Sequence, residues 1–311
     1  MNVICKEIQE LNNIHNSYTR NHVEIKPQLY KCPSEIKSRM PMLKHGIEYY
    51  SDIRIPIHIL FFTEIQNDCL DRFHIIMTIL RYMLQFPNNL TSIRIDFAFT
   101  DISKTLPHTG LIGPSTLNTG YTIGNQIVVY REEEWLKVCI HECIHLFNYD
   151  IELRNKPKIL YPLFPISKKI HVNESYCEIW ARILNCCVIS VMNNIKVEQL
   201  LKTEGNFAIE QMVKILNYMN LTYIQLTNPD TIYKEKTNAF AYLVIPAILL
   251  HDPSFFVTWC KDQNTYMLPI ENADAYIKLI QSKYTEPSFL KNVHHTNTSL
   301  STTMSINNIH L

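Results

Sequence analysis

The sequence predicts an α+β fold, with a mixed sheet in an N-terminal lobe and a mainly helical C-terminal lobe. Two observations lead to this prediction. Segments that alternate like β-strands lie within the first 130 residues, with helical segments between them. Beyond residue 194, apolar residues recur instead at the three-and-four spacing of helices. With 311 residues, the chain can bury a substantial core, as one large domain or as two lobes that share a cleft.

The predicted elements of the first lobe follow one another closely. Strands are predicted at 53–62, 91–100 and 126–130, because these segments alternate or are rich in β-branched and aromatic residues. An amphipathic helix is predicted at 68–85. Residues 1–50 are polar and show no clean period, so short helices within a mostly irregular segment are expected there.

The second lobe is predicted to be built from helices. Their predicted positions are 197–203, 208–219, 237–250 and 272–282. The tail from residue 294 is rich in Ser, Thr and Asn, so it is expected to be disordered or to form a covering strand.

An H-E-x-x-H motif is formed by His141, Glu142 and His145. It lies in an apolar helical segment of the N-terminal lobe, directly after the strand predicted at 126–130. Residues four apart share one helix face, so the two imidazoles can point at a common centre and bind one Zn²⁺ ion. Glu142 is rotated by about 100° from His141, which leaves it able to reach a water on that metal. The alternative is that these are buried polar residues paired by hydrogen bonds, and that the motif arose by chance.

A second pair of acidic residues supports the metal-site interpretation. Glu174 and Glu178 lie four residues apart at the start of another strongly apolar helical segment, so they share a face. A catalytic zinc site needs three protein ligands and an open position, and Glu174 can be the third ligand. Glu178 can then accept a hydrogen bond from the outer nitrogen of a ligand histidine and fix its orientation.

Together, H-E-x-x-H and the later N-E-x-x-x-E resemble the gluzincin group of zinc metallopeptidases, which includes thermolysin-like, neprilysin-like and aminopeptidase-type enzymes. The resemblance implies one zinc ion per chain bound by His141, His145 and Glu174, with Glu142 as general base and Glu178 supporting a ligand histidine. This sequence departs from the group in two ways. Thermolysin-like and neprilysin-like members have Asp at the position of Glu178. The gap from His145 to Glu174 also differs from the shorter spacing of thermolysin-like and aminopeptidase-type members. The isoleucine- and asparagine-rich composition also resembles uncharacterised metallopeptidases of large DNA viruses.

The resemblance further implies a zincin-like fold and a division of the chain. The implied parts are an N-terminal extension (1–50), a zincin-like metal-binding lobe (51–194), a helical lobe (195–293) and a polar tail (294–311).

Two further features of the cleft follow from the resemblance. Four of the six glycines lie between residues 110 and 124, where glycine marks tight turns and close approaches. In the gluzincin group an edge strand beside the cleft pairs with extended substrate, so 117–122 is either this strand or part of a plain hairpin.

A Tyr or His from the second lobe stabilises the oxyanion in that group, and Tyr233, Tyr242 and His251 are the candidates.

Composition narrows the choice of partners and compartment. The net charge is zero, so no large basic field favours nucleic acid or an anionic membrane. The nine cysteines show no paired spacing, which is typical of reduced thiols in an intracellular protein, and Cys143 faces away from the two motif histidines. The first residues lack a secretory signal, so an intracellular (cytoplasmic) location is expected, or packaging in a virion if the protein is viral.

Two functions remain open on the sequence alone. The first is a zinc-dependent peptidase that hydrolyses peptide bonds in a peptide or protein substrate, with Glu142 as general base. The second is a catalytically silent structural or virion-associated protein that keeps this fold, with or without zinc. An open metal position beside a free cleft favours the first, whereas a fourth ligand or a tail in the cleft favours the second.

Overall fold

The computed structural model describes residues 1–24, 29–154, 160, 163, 164, 166, 170–228, 230–297 and 301–304. The prediction of an α+β fold is confirmed: a six-stranded mixed sheet is combined with many helices. The strands are β1 (Thr19–His22), β2 (His45–Asp52), β3 (Pro56–Thr63), β4 (Ile93–Ala98), β5 (Gly120–Ile123) and β6 (Gln126–Val129). The helices before the second lobe are α1 (Asn2–Asn12), α2 (Ser34–Arg39), α3 (Leu70–Met83), α4 (Pro114–Leu117), α5 (Trp135–Leu146) and α6 (Val172–Asn193).

The remaining helices form the second lobe. They are α7 (Val197–Tyr218), α8 (Tyr223–Leu226), α9 (Ile245–Leu250), α10 (Pro253–Gln263), α11 (Ala273–Lys283) and α12 (Pro287–His295). A short π-helical turn, Phe240–Val244, leads directly into α9. Besides the four-residue α8, two longer helices, α10 and α12, are not among those predicted from apolar spacing. Each has Pro at its first position, and α10 also has the Asp252 side chain as its cap, which are ordinary helix-start signals.

The sheet has the strand order β1-β2-β3-β4-β6-β5. Strands β3, β4 and β6 run parallel to one another, whereas β1, β2 and β5 pair antiparallel with their neighbours. Strand β5 therefore lies at one edge of the sheet, next to β6. The α5 helix packs against both of these strands and against α6, and this arrangement brings the motif helix to the same end of the molecule as the sheet edge.

Residues before 51 are more ordered than the sequence predicts. Helix α1 buries Ile4 and Ile8 in the main core and packs against α3 and α6, while β1 and most of β2 belong to the sheet. The expectation of mostly irregular structure is wrong because the apolar residues of the segment, such as Ile4, Ile8 and Ile47, are buried in the main core. The apolar residues of α1 are few, but they recur at i and i+4.

Helices predicted separately at 197–203 and 208–219 are one helix, α7. The gap in the prediction falls at Gly205, which is buried inside the helix. A Cβ atom on Gly205 would lie only 2.4 Å from the carbonyl oxygen of Leu250, at the end of α9. Glycine is therefore needed here for close packing between two helices and does not mark a helix break.

Residues 301–304 of the tail lie against the body of the protein, whereas His294 and His295 belong to the end of α12. Thr303 forms an isolated bridge with Thr105, and the Met304 amide donates to the carbonyl of Lys104 at 2.9 Å. Met304 is completely buried. Residues 301–304 thus act as a covering segment, one of the two outcomes expected for the tail.

Among the described residues, one helix, α6, is long and apolar enough to cross a membrane by length and composition alone. In the fold, 83% of its most apolar window is buried, as in the core helix of a globular protein. The bent pair formed by Phe240–Leu250 and Pro253–Gln263 passes the same test jointly.

Replacing Gly205 with Ala should destabilise the protein, although Ala is favoured over Gly inside helices by about 1 kcal/mol. The added methyl group would contact the Leu250 carbonyl, and overpacking of this kind costs about 1–3 kcal/mol. Urea denaturation measures the difference. The neighbouring Asn206→Ala change, at an exposed site of the same helix, is the control and should not destabilise. A Gly205→Ala protein as stable as that control would contradict the packing role.

Candidate metal centre

The H-E-x-x-H motif lies on α5, as predicted, and this helix is buried over almost its whole length. His141 and His145 stand one turn apart on the face that meets α6. Their Nε2 atoms are 3.2 Å from each other. The two rings meet edge to face, with centroids 4.9 Å apart. The motif therefore presents two imidazole nitrogens toward one point between α5 and α6.

Glu174 completes this arrangement from the first turn of α6. Its Oε2 atom lies 3.3 Å from Nε2 of His141 and 3.2 Å from Nε2 of His145. The three side chains form a group whose ligand atoms lie close enough together to hold a metal ion. The structure thus brings together the three residues that the sequence suggests as ligands, although Glu174 is 29 residues beyond His145.

Glu178 lies where the sequence analysis expects it. Its Oε2 accepts a hydrogen bond from Nδ1 of His141 at 3.1 Å. A carboxylate accepts only from a protonated nitrogen, so Nδ1 carries the hydrogen and the Nε2 lone pair of His141 faces Glu174. Glu178 therefore sets the tautomer that a metal ligand needs.

Asp150 has the same role for the other histidine, and the sequence analysis missed it. Its Oδ2 accepts from Nδ1 of His145 at 2.9 Å. The chain returns to the site because α5 ends at Leu146 and Asn148, just beyond it, has a left-handed backbone (φ 58°), and the Tyr149 amide bonds back to the Ile144 carbonyl. An Asn just past a motif helix, followed two residues later by Asp, is the signal that could have identified Asp150.

Asp150 is held in place by further partners. Arg154 donates to both of its carboxylate oxygens, at 3.2 and 2.7 Å, and the side-chain amide of Asn173 donates at 3.1 Å. Asn173 directly precedes the candidate ligand Glu174 on α6. Glu174 contacts the Nε2 atoms of the two histidines, whereas Asn173 contacts Asp150, the partner of the outer Nδ1 atom of His145. Burial opposes ionisation of Asp150, but His145 and Arg154 outweigh it and lower its pKa below the ordinary value.

Glu178 is surrounded by two buried cations. Lys137 Nζ lies 3.0 Å from one carboxylate oxygen and 3.1 Å from the other, and Arg182 Nε donates at 3.0 Å. Burial raises the pKa of Glu178, but Lys137, His141 and Arg182 together hold it well below the ordinary value. The carboxylate is therefore charged and fixed, even though it is almost inaccessible to water.

The pKa values of the inner residues show how strongly they interact. Burial works against the charged form of Glu174, yet His145 and His141 lower its pKa far below the ordinary range. Burial likewise works against protonated His145, whereas Glu174 and Asp150 raise its pKa well above 6.5. A positive charge on His145 and a negative charge on Glu174 therefore stabilise each other.

Glu142 faces the cleft beside this group. Its Oε2 accepts a hydrogen bond from the Thr122 hydroxyl at 2.8 Å, so an edge strand orients the carboxylate. Gly120, on the same strand, permits this approach. A Cβ there would lie 2.9 Å from Val138 and 3.4 Å from the Glu142 Cγ. The cleft itself has a volume of about 590 Å³ and is lined by Glu142, His145, Glu174 and Tyr242 among others.

The three candidates for oxyanion stabilisation are placed differently. Tyr242 lines the cleft, and its ring centroid is 5.9 Å from that of His141. It lies on the π-helical turn, a distortion that recurs at functional sites. Tyr233 is fully buried and donates to Glu235, and His251 contacts Ser288 near α12. Of the three, only Tyr242 is among the residues that line the cleft.

The edge strand predicted at 117–122 is shifted in the structure. Leu117 ends the short helix α4, and β5 covers Gly120–Ile123. The displacement has a local cause, because Pro114 at the first helical position starts a turn of helix that uses Leu117. The strand is nevertheless at the sheet edge and borders the cleft.

A second group of possible ligands shares His145. Cys177 Sγ lies 3.5 Å from Nδ1 of His145, next to Asp150. Burial raises the pKa of the Cys177 thiol, so a metal bound there would have to displace its proton. Asp150 is already bonded to Arg154 and Asn173. Cys143 is buried elsewhere on α5 and belongs to neither group, so the His141, His145 and Glu174 group is the better candidate.

Comparison of the chain with protein-family models, with curated proteins and with solved structures found no match.

Replacing Asp150 with Asn should weaken metal binding by roughly 10- to 100-fold, the usual effect of removing an outer partner of a ligand histidine. The amide keeps the shape but removes the charge that holds His145. Zinc affinity measured by competition with a chelator tests this. The control is Asp96→Asn, because Asp96 is equally buried but lies in the sheet and pairs with Arg94. Equal zinc affinity for both variants would contradict the assignment.

Proposed function

We propose that this chain is a zinc-dependent peptidase with a zincin-like metal-binding lobe. The observation that carries the proposal is the convergence of His141, His145 and Glu174 from two helices, with Glu142 beside them in an accessible cleft. The sequence resemblance to gluzincins points to the same four residues.

The donor set suits zinc. In a tetrahedral site with bonds of about 2.0 Å, ligand atoms lie roughly 3.3 Å from one another. The three atoms here are 3.2, 3.2 and 3.3 Å apart. Two imidazole nitrogens and one carboxylate oxygen also match the composition of catalytic zinc sites, which leave one position open. Both outer Nδ1 atoms are bonded to carboxylates, so both inner lone pairs are free to bind a cation once the site is deprotonated.

Bound at this point, zinc would supply Lewis acidity toward a water molecule and toward a carbonyl oxygen. The chain's own residues would do the rest. Glu142, oriented by Thr122, would take a proton from water and pass it to the leaving amine. General acid–base transfer of this kind contributes about a hundred- to ten-thousand-fold to the rate.

Tyr242 is the residue that we propose as hydrogen-bond donor to the developing oxyanion. Burial, with the carboxylates of Glu174 and Glu142, raises the pKa of its phenol well above 10, so it keeps its proton at neutral pH. A donor fixed in advance is worth several kcal/mol in such sites, on the order of 3 kcal/mol for one hydrogen bond. Arg182 fixes the Tyr242 backbone by donating to its carbonyl.

The peptide substrate would bind along β5. This strand pairs on one side with β6 and has no strand on its other side within the described sheet. An extended chain can add to such an edge through main-chain hydrogen bonds. The strand also carries Thr122, which contacts the proposed base, so substrate and Glu142 would be aligned by the same element.

Two features favour catalysis over the silent alternative. Within the described residues, no fourth protein ligand joins His141, His145 and Glu174. The described tail, 301–304, contacts Lys104 to Leu106 and is absent from the residues that line the cleft. All nine cysteines are free thiols, which supports the proposal that the peptidase works inside the cell.

The direct test of the function uses two variants. Glu142→Gln should retain one zinc per chain but lose peptide hydrolysis, because the amide cannot accept the proton. His145→Ala should lose both the metal and hydrolysis, because one ligand is gone. Elemental analysis and a peptide-cleavage assay measure the two properties. Undiminished turnover by Glu142→Gln would reject the mechanism, and full zinc content in His145→Ala would reject the site.

Zinc affinity should fall as the pH is lowered. In the metal-free protein the pKa of His145 is raised well above 6.5, so zinc must displace a proton from it. Protonated His145 stabilises the metal-free fold most at low pH, and this contribution is lost as the pH rises through the raised pKa. Thermal denaturation with and without zinc should therefore show a stabilisation by zinc that grows with pH. A stabilisation that is constant across this range would contradict the prediction.

A further inference from the structure

A second, smaller cavity adjoins the cleft. The two cavities share Asn118, Gly120, Glu142 and Tyr242 in their linings, so they lie on either side of the proposed base. The smaller one has a volume of about 30 Å³, against about 590 Å³ for the cleft. Leu117, Thr119, Lys137 and Val138 complete most of its wall. A peptide bond held at Glu142 would therefore meet a wide space on one side and a narrow one on the other.

Two polar groups of the narrow cavity lack a full set of partners. The Thr119 hydroxyl is buried and has no hydrogen-bond partner among the described residues. Lys137 has three N–H donors, and within the described chain its hydrogen bonds go only to the two oxygens of Glu178. Its other nearby carboxylate, Glu134, is 3.8 Å away, beyond hydrogen-bond distance. An unmade buried hydrogen bond is costly, so a polar group is expected to occupy this space.

The occupant should be neutral. Lys137 lies between Glu178 and Glu134, and these carboxylates also pair with Arg182 and Lys104. Arg182 in turn pairs with Glu204. Three cations thus face three carboxylates, and a fourth carboxylate, Glu142, lines the cavity. An acidic side chain would lose its hydration there and face Glu142, and the small volume excludes lysine and arginine.

The volume limits the occupant to about two non-hydrogen atoms. A cavity needs about 10–15 Å³ to hold one water, so 30 Å³ corresponds to about two waters. The serine side chain has two non-hydrogen atoms, and its hydroxyl both donates and accepts. It could accept from Lys137 and donate to the Thr119 oxygen. Alanine also fits but leaves both groups without a partner, and larger side chains do not fit.

We propose that this narrow cavity is a substrate subsite, and that Thr119 and Lys137 select a serine side chain on one side of the cleaved bond. This inference rests on the proposed peptidase function. The wide cleft on the other side of Glu142 accepts many side chains, so the selectivity is one-sided. Thr119 acts as a specificity-determining residue here, and Lys137 does so in addition to its contact with Glu178.

The test is cleavage of a short peptide library that is randomised at the two positions flanking the cleaved bond. Mass spectrometry of the products gives relative kcat/KM values. At one flank, serine should exceed alanine by about tenfold, the value of one buried hydrogen bond, and should exceed leucine, lysine or aspartate by about a hundredfold. The other flank should show a much weaker preference. Cleavage without a preference for serine at either flank overturns the inference and leaves the peptidase function standing.

Variants locate the preference in the cavity. Thr119→Val removes the hydroxyl at nearly constant volume. The kcat/KM for serine should therefore fall to about that for alanine, a serine-to-alanine ratio of about one, while peptides with alanine at the selective flank are still cleaved. Thr116→Val, at a buried threonine that lines neither cavity, is the matched control and should keep the ratio. Val138→Ala enlarges the cavity and should raise the rate for leucine relative to serine. An unchanged ratio in Thr119→Val overturns the role of Thr119.

A binding measurement separates this inference from catalysis. The zinc-loaded Glu142→Gln protein should bind a serine-containing peptide about tenfold more tightly than its alanine counterpart in calorimetry, and the added Thr119→Val change should remove the difference. Failure of the zinc-loaded wild type to cleave any peptide would overturn the peptidase proposal, and this inference with it. Equal binding of the two peptides by Glu142→Gln would overturn the serine subsite alone.

Discussion

The packing of α5 against α6 is the constraint on which the rest of the structure depends. These two buried helices bring Nε2 of His141, Nε2 of His145 and Oε2 of Glu174 to within 3.3 Å of one another. Glycine at position 120 lets the edge strand approach α5 closely, so Thr122 can reach Glu142. The proposed metal ligands, the proposed base and the proposed substrate edge are therefore parts of one packed unit.

Burying so many charges requires a partner for each of them. The carboxylate of Glu178 is shared by His141, Lys137 and Arg182, and Arg182 continues to Glu204 on α7. Buried ion pairs of this kind add little net stability, but removal of one member is costly, at about 3–5 kcal/mol. The network therefore serves orientation: it connects α5 and α6 to α7 and holds His141 with its Nε2 lone pair toward the candidate metal position.

Apolar periodicity predicted the α+β fold and located the helices that carry the site, because α5 and α6 are apolar over nearly all of their length. It was wrong where single residues decide the tertiary packing. The gap between the helices predicted at 197–203 and 208–219 contains Gly205, which lies inside α7 and packs against the end of α9. Helix α1 was not located because only two of its residues are deeply buried. For the site, i and i+4 spacing identified residues on the same helix. Asp150 and Lys137 were missed, since their roles come from a helix end and from contact across two helices.

X-ray absorption at the zinc edge of the metal-loaded protein tests the central claim most directly, because it reports the atoms around the metal without an assay. The account predicts only nitrogen and oxygen neighbours at about 2.0–2.1 Å, from two imidazoles, one carboxylate and solvent. A sulfur neighbour at about 2.3 Å would place the metal at Cys177 and not between His141, His145 and Glu174. That result, or a protein that binds no zinc, would contradict the account.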